Sequence, residues 1–324
     1  MLSTLPACAF AFLLLPVLVF GQSAPKLETV WGDSGVSDGQ FDAPYHIALD
    51  RAGNLYVTDS ENDRIQKFDN QGNFMMAWGQ LGPNPGDFNI PSGITIDAHG
   101  YVYVGDSDNH QVQKFDGNGN LVDHWGHYGS GDGELYFPVG VAVDEDGSFF
   151  VADSWNNRVQ KFAADGTFLL KWGSLGTRAG SFDLPTAIVI DRDGVVYVTD
   201  TKNHRVQMFT RDGVSLGRFG QHGTGPGMFD LPYAIAIGPS GKIYVADSGN
   251  DRIQIFTPDH QWIMTFGETG TGPGQMDLPW GIAIDANENV FVADAKNDRI
   301  EKFSAGTFVP VQIITWGRIK QRYK

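Results

Sequence analysis

Val57-Thr58-Asp59-Ser60-Glu61-Asn62-Asp63-Arg64-Ile65-Gln66-Lys67-Phe68 stands near the start of this 324-residue chain, and its pattern returns five more times, at 104–115, 151–162, 198–209, 245–256 and 292–303. The spacing is 47 residues and the register never slips. Pro44, Pro91, Pro138, Pro185, Pro232 and Pro279 keep the same interval, as do Asp59, Asp106, Asp153, Asp200, Asp247 and Asp294. A period of this length, built from short apolar runs and turn residues, identifies a repeat architecture before any single residue is interpreted.

Working outward from that stretch, the first copy holds four short runs, at 44–50, 54–59, 64–68 and 73–79. Each is rich in β-branched and aromatic residues and is bounded by Gly, Asn or Asp, so the copy reads as four strands of an antiparallel meander. Such a sheet has two largely apolar faces and no helix to cover them, so it must stack on its own copies. Six copies set radially give an all-β chain, a six-bladed β-propeller of four-stranded blades. The repeated proline suits the first residue of the innermost strand, where its fixed φ and missing donor do no harm. Asp59 and Arg64 flank a tight turn and are expected to close it, with Asn62 taking a left-handed backbone. Trp78, Trp125, Trp172, Phe219 and Phe266 each precede Gly and supply a large apolar plate near the end of the outer strand.

The signature Val-x-Asp-x-x-Asn-x-Arg-Val/Ile-Gln-x-Phe resembles the NHL repeat family, and the likeness spans nearly the whole chain after residue 30. NHL domains are six-bladed propellers, so the resemblance implies the fold that the repeat count gives independently. Two copies depart from the pattern: the second has Gln111 in place of Arg, and the sixth has Glu301 in place of Gln.

A propeller must join its last blade to its first. Trp31-Gly32 lies 47 residues before Trp78-Gly79, so residues 27–31 behave as the outer strand of a missing preceding copy and are expected to complete blade six. A second run, 309–316, also has the look of an outer strand but is shifted by three residues and carries Pro310 inside it. Proline demotes a strand toward an edge, so the N-terminal segment is the expected closure, with the C-terminal run pairing or packing beside it.

Residues 1–21 have the apolar character of a secretory signal peptide: no charged side chain precedes Lys26, and residues 9–20 are apolar apart from Pro16. The usual positive start is missing, and the alternative is an uncleaved anchor, though the run is short for a membrane span. Residues 22–317 then form the propeller, and 318–324 a basic tail with Arg318, Lys320, Arg322 and Lys324. The expected location is secreted or periplasmic, with no stable membrane span in the mature chain. Cys8 is the only cysteine and lies in the leader, so internal disulfides and thiolate metal sites are excluded. With 38 acidic against 23 basic residues and a formal charge of −15, the chain is a poor match for nucleic acid, which demands a basic face.

In a propeller, the turns between the second and third strands share one rim with the long blade-to-blade loops, around the mouth of the central channel. Directly after the repeated proline come Tyr45, Ser92, Val139, Thr186, Tyr233 and Trp280, a varied ring whose aromatic members suit stacking on a flat ligand face or plugging the channel. Trp155 stands where the other turns have Glu61, Asp108, Lys202, Gly249 or Lys296, and is the aromatic expected to be most exposed. Resemblance also implies an enzyme alternative. The peptidyl-hydroxyglycine amidating lyase, a secreted NHL-like propeller, has zinc histidines directly after the strand-opening proline, but no such Pro-His pair occurs here. His46 comes one position late and by strand alternation is expected to turn away from that side. His110, His204, His127 and His222 fall in rim turns and loops, and three ligands must converge for a catalytic zinc. Calcium-dependent lactonases on six-bladed propellers need converging acids, whereas Asp63, Asp108, Asp251 and Asp298 are spread around the ring. The expectation is therefore a monomeric, non-catalytic scaffold with no cofactor or metal. Tyr45, Ser92, Trp155, Thr186, Tyr233 and Trp280 would present its rim to an extracellular protein, peptide or glycan.

Overall fold

The structure is a computed structural model and describes residues 20–306 and 308–310. Six four-stranded antiparallel sheets follow one another along the chain. In the first, Pro44–Leu49, Leu55–Asp59, Arg64–Phe68 and Phe74–Trp78 run from the inner to the outer edge. The proline-led strands of successive blades touch in a closed ring, with Pro279–Ile284 of blade six against Pro44–Leu49 of blade one. The outer strand of blade six is Lys26–Trp31, paired antiparallel to Arg299–Ser304 with Trp31 opposite Ile300. The N-terminal segment thus closes the ring, as the register of Trp31 predicts. The other run considered for closure, 309–316, lies mostly outside the described residues, as do the leader residues 1–19 and the basic tail. A separate small unit pairs Phe20–Gln22 with Phe308–Pro310. Among the described residues, no helix is long and apolar enough to cross a membrane.

The core lies between blades rather than within them. Ile47, Leu55, Val57 and Phe68 of blade one interdigitate with Ala283, Phe291, Ala293 and Ile300 of blade six, and Trp31 seals the seam. The tryptophans before glycine do the same at other seams: Trp31, Trp78, Trp125 and Trp172 each lie over the turn glycine of the next blade's outer hairpin. At Gly72, for instance, an added Cβ would come within 2.7 Å of the Trp31 ring. Blade five breaks this pattern with His260, which takes a φ of 64° and stacks on Phe219 at 5.1 Å.

The repeated polar residues form one network under the rim. In blade one, Asp59 is wholly buried and accepts the Asp42 amide, the Asn62 side-chain amide, Arg64 Nε at 2.7 Å and Gln66 Nε2. Arg64 and Gln66 then donate to carbonyls at Val36, Ser37 and Gln40, so four signature residues hold down the preceding blade-to-blade loop. Backbone groups of that loop, cut off from sheet partners, find their hydrogen bonds here. Asn62 is therefore a side-chain donor and not the left-handed residue. That role falls to the next position, Asp63, His110, Asn157, His204, Asp251 or Asp298, each with φ between 52° and 57°.

Candidate functional site on the loop-rich rim

That left-handed residue does a second job. Its side chain reaches to the next blade and accepts the amide of the residue before the strand-opening proline: Asp63 from Ile90, Asn157 from Leu184, Asp251 from Leu278 and Asp298 from Ala43, each at 2.9 Å. His110 and His204 do so through Nδ1, from Phe137 at 3.3 Å and Leu231 at 3.1 Å. The residues so held, including Phe137 at φ 56° and Leu231 at φ 47°, are left-handed non-glycines before proline, a conformation that costs energy unless its surroundings fix it. The acids Asp63, Asp251 and Asp298 thus serve as staples between blades.

Around each staple the fold assembles a rim sector from four positions: the left-handed residue, the third residue after the outer strand, the residue two before the next proline, and the middle of the next blade's turn. The sectors share a backbone and differ in chemistry. Between blades three and four they are Asn157, Leu175, Asp183 and Lys202, a polar and aliphatic mixture at the seam leading into Pro185. Between blades five and six, Thr269 donates to Asp251 at 2.7 Å and Lys296 faces Asp277 at 3.7 Å.

Two sectors stand apart. Between blades two and three the four positions are His110, Tyr128, Tyr136 and Trp155, and they form one aromatic cluster. Tyr128 lies 5.0 Å from His110 and 5.1 Å from Tyr136, Tyr136 meets Trp155 edge-on at 4.9 Å, and Trp155 stacks on Phe137 at 5.0 Å. Tyr128 and Trp155 remain 63% and 50% exposed, so the cluster is anchored from below and open above. Between blades four and five the positions are His204, His222, Asp230 and Gly249. His204 Nδ1 is 3.3 Å and His222 Nε2 3.8 Å from Asp230 Oδ1, and the two imidazoles are 4.3 Å apart. Burial, with His222 next in weight, holds the His204 imidazole below its usual range, while Asp230 and Asp247 act the other way.

The ring after the prolines divides. Tyr45, Tyr233 and Trp280 come together at the channel mouth, with Tyr45 5.1 Å from Trp280 and Tyr233 5.9 Å from it. Burial pushes the Tyr45 phenol up, with Tyr233 adding to the shift. Ser92 and Thr186 instead point into the wall. Ser107 donates to Ser92, and Thr186 donates to the Tyr233 carbonyl while sharing hydrogen bonds with Thr199 and Thr201. Both are buried, as is Val139, so these hydroxyls belong to the seams between inner strands and are not presented to a ligand. His46 also differs from expectation. The pairing of the first two strands shifts register between Pro44 and Ile47, which breaks the alternation, and His46 lines the apolar channel of about 280 Å³ with residues such as Ile94 and Ile188. Burial lowers its imidazole to about 4, so it is neutral there.

The two departures from the signature leave visible marks on the network. Gln111 donates to Asp106 at 2.8 Å where other blades supply Arg, and burial pushes the Asp106 carboxyl up to about 6. Glu301 is wholly buried, with Oε1 accepting the Gly274 amide and lying 3.1 Å from Arg299, while Oε2 has no partner. Burial pushes this carboxyl up to about 7.

The rim quartets were missed by sequence reasoning because their members are separated by 18, 8 and 19 residues, as in His110, Tyr128, Tyr136 and Trp155. Aligning the six copies and reading down those four positions together carries the signal that could have found them.

Comparison with solved structures returns chains of similar fold. The chain is similar to a streptogramin B lyase at 16% identity, with 86% of this chain and 97% of that one covered and a TM-score of 0.60. It is similar to virginiamycin B lyase from Staphylococcus aureus, in its inactive form with quinupristin, at 16% identity, 88% and 99% coverage and a TM-score of 0.60. A Bacteroides thetaiotaomicron protein of unknown function gives 19% identity, 88% and 76% coverage and a TM-score of 0.67. At such identities the likeness shows the fold alone. A search of curated proteins finds no significant match. The NHL repeat matches six times, at residues 43–68, 88–115, 135–162, 182–209, 229–256 and 276–303, and with six blades of that repeat closed into a ring the chain belongs to the NHL repeat family.

Proposed function

We propose that this chain is a secreted, monomeric, non-catalytic binding propeller that presents its rim to an extracellular protein, peptide or glycan. The observation that carries the reading is the aromatic sector of His110, Tyr128, Tyr136 and Trp155, two of whose rings are open to solvent on a fixed backbone. Exposed Trp and Tyr held rigid from beneath are the side chains that dominate binding energy at interfaces, because they bury much area for little lost rotamer freedom. The formal charge of −15 favours a partner with basic side chains, whose cations would also suit the aromatic faces. Tyr45, Tyr233 and Trp280 at the channel mouth offer a second contact region on the same rim.

The test is capture from extracellular material by the immobilised chain, set against Trp155→Ala combined with Tyr128→Ala and, separately, Tyr233→Ala. The double substitution should reduce capture at least about tenfold, as loss of central aromatic anchors does, with circular dichroism unchanged. Glycosidase and protease treatment of the captured material then distinguishes a glycan from a protein partner. Undiminished capture by the double variant would remove the aromatic sector from the binding surface.

A further inference from the structure

The sector between blades four and five is built from the same four positions as the aromatic one, but it gathers two imidazoles and a carboxylate. Among the described residues, His204, His222 and Asp230 are the one group of three or more ligating side chains whose donor atoms lie within 4.8 Å of one another. None of the three hangs on a free loop. His204 is the left-handed residue of its turn, Asp230 is held by its amide donating to Asp247, and the backbone at His222 is bridged to Phe229.

The contacts inside the group set acceptor against acceptor. His204 Nδ1 accepts the Leu231 amide, so that nitrogen carries a lone pair and no proton. It nevertheless faces Asp230 Oδ1 at 3.3 Å, one acceptor against another, with His222 Nε2 3.8 Å from the same oxygen. A positive ion among these atoms would turn repulsion into attraction. The fourth corner is Gly249, where other sectors carry Trp, Lys, Glu or Asp. A Cβ there would come 2.9 Å from Asp230 Cγ, so only glycine leaves the carboxylate its place and the corner open.

We propose that His204, His222 and Asp230 bind a divalent transition metal, zinc or a close relative, with one coordination position left to solvent or a ligand beside Gly249. Two imidazole nitrogens and one carboxylate oxygen form a borderline donor set, which selects zinc-like ions over calcium and magnesium. Coordination uses His204 Nδ1, with the Leu231 amide giving up its acceptor as the ion enters, and His222 and Asp230 close in from 3.8 Å. The site is independent of the aromatic sector and of what that sector binds.

The experiment uses the full chain without a histidine tag, stripped with EDTA and dialysed, then titrated with zinc by calorimetry and with cobalt by visible absorption. One zinc per chain should bind, and cobalt should show the absorption of a low-coordinate nitrogen and oxygen site. His222→Ala and Asp230→Asn should each weaken zinc at least about tenfold, and Gly249→Ala should do so by displacing the carboxylate. His222 is exposed, so its substitution leaves the fold intact, and His99→Ala in a turn on the opposite face should change nothing. Absence of saturable zinc or cobalt binding, or binding that survives both His222→Ala and Asp230→Asn, overturns the proposal.

Discussion

The polar network under the rim and the rim surface above it are built by the same loops, yet one repeats and the other does not. Asp59, Asn62, Arg64 and Gln66 recur with the same partners and nearly the same distances in blades three, four and five, and with one substitution each in blades two and six; Asp153 and Arg158 at 2.7 Å or Asp247 and Arg252 at 2.7 Å are copies of Asp59 and Arg64. A few ångströms outward, the same seams carry an aromatic quartet, a histidine pair with an aspartate, or a lysine with two acids. Repetition follows shared packing, since each blade must present the same face to its neighbour. Where packing sets no demand the copies diverge, and there an individual function can sit.

The comparison is broken most severely by removing its frame. Deleting residues 24–32 takes away the outer strand of blade six and Trp31, exposing the edge of Arg299–Ser304 and the apolar seam to blade one. The single melting transition should be lost or lowered by the equivalent of several kcal/mol, a large part of a typical domain's stability, and the variant should aggregate through its open edge. Melting followed by circular dichroism, with light scattering, checks this; an unchanged transition would show that the ring does not depend on its N-terminal strand.

A smaller and pH-dependent effect is expected within the network. Burial raises the carboxyls of Asp106 and Glu301, to about 6 and about 7. A raised carboxyl favours the fold in its protonated form, so this stability is complete below the ordinary carboxyl range and is lost as pH rises, through about 6 for Asp106 and about 7 for Glu301. Glu301→Gln restores the neutral donor that the other blades have. It should leave stability nearly unchanged at pH 4 and raise it at pH 8 by about 2 kcal/mol, the order that a shift of this kind carries. Denaturant titrations at the two pH values measure the difference. Equal effects at both would mean that the orphaned oxygen is not the source.

The smallest effect on stability belongs to the rim. Trp155→Ala removes a half-exposed ring, and the melting temperature should move by no more than the equivalent of about 0.5–1 kcal/mol, while capture of the partner falls. A stability loss as large as that of a core aromatic would show that Trp155 belongs to the frame and erase the distinction between the two regions.

The six blades, their four strands, the proline at each inner strand and the closure by the segment around Trp31 are legible in the sequence, because each depends on local periodicity or on a register counted along the chain. The exposure of Trp155, which breaks the pattern of its turn, was legible too, although Tyr128, and not Trp155, is the most exposed aromatic side chain among the described residues. What the sequence left hidden required knowing which distant residues share a seam. Asn62 suits a left-handed turn by propensity, yet the hydrogen bonds of Asp59 and of the neighbouring loop place it as a donor and shift the left-handed backbone to Asp63. Ser92 and Thr186 have the residue type of a channel ring, but the register shift at the start of the inner strands and the partners across each seam turn their hydroxyls inward. Local pattern determines which strands form and in what order. Only the radial packing of neighbouring blades decides which side chains meet, because every rim sector takes its residues from two blades at once.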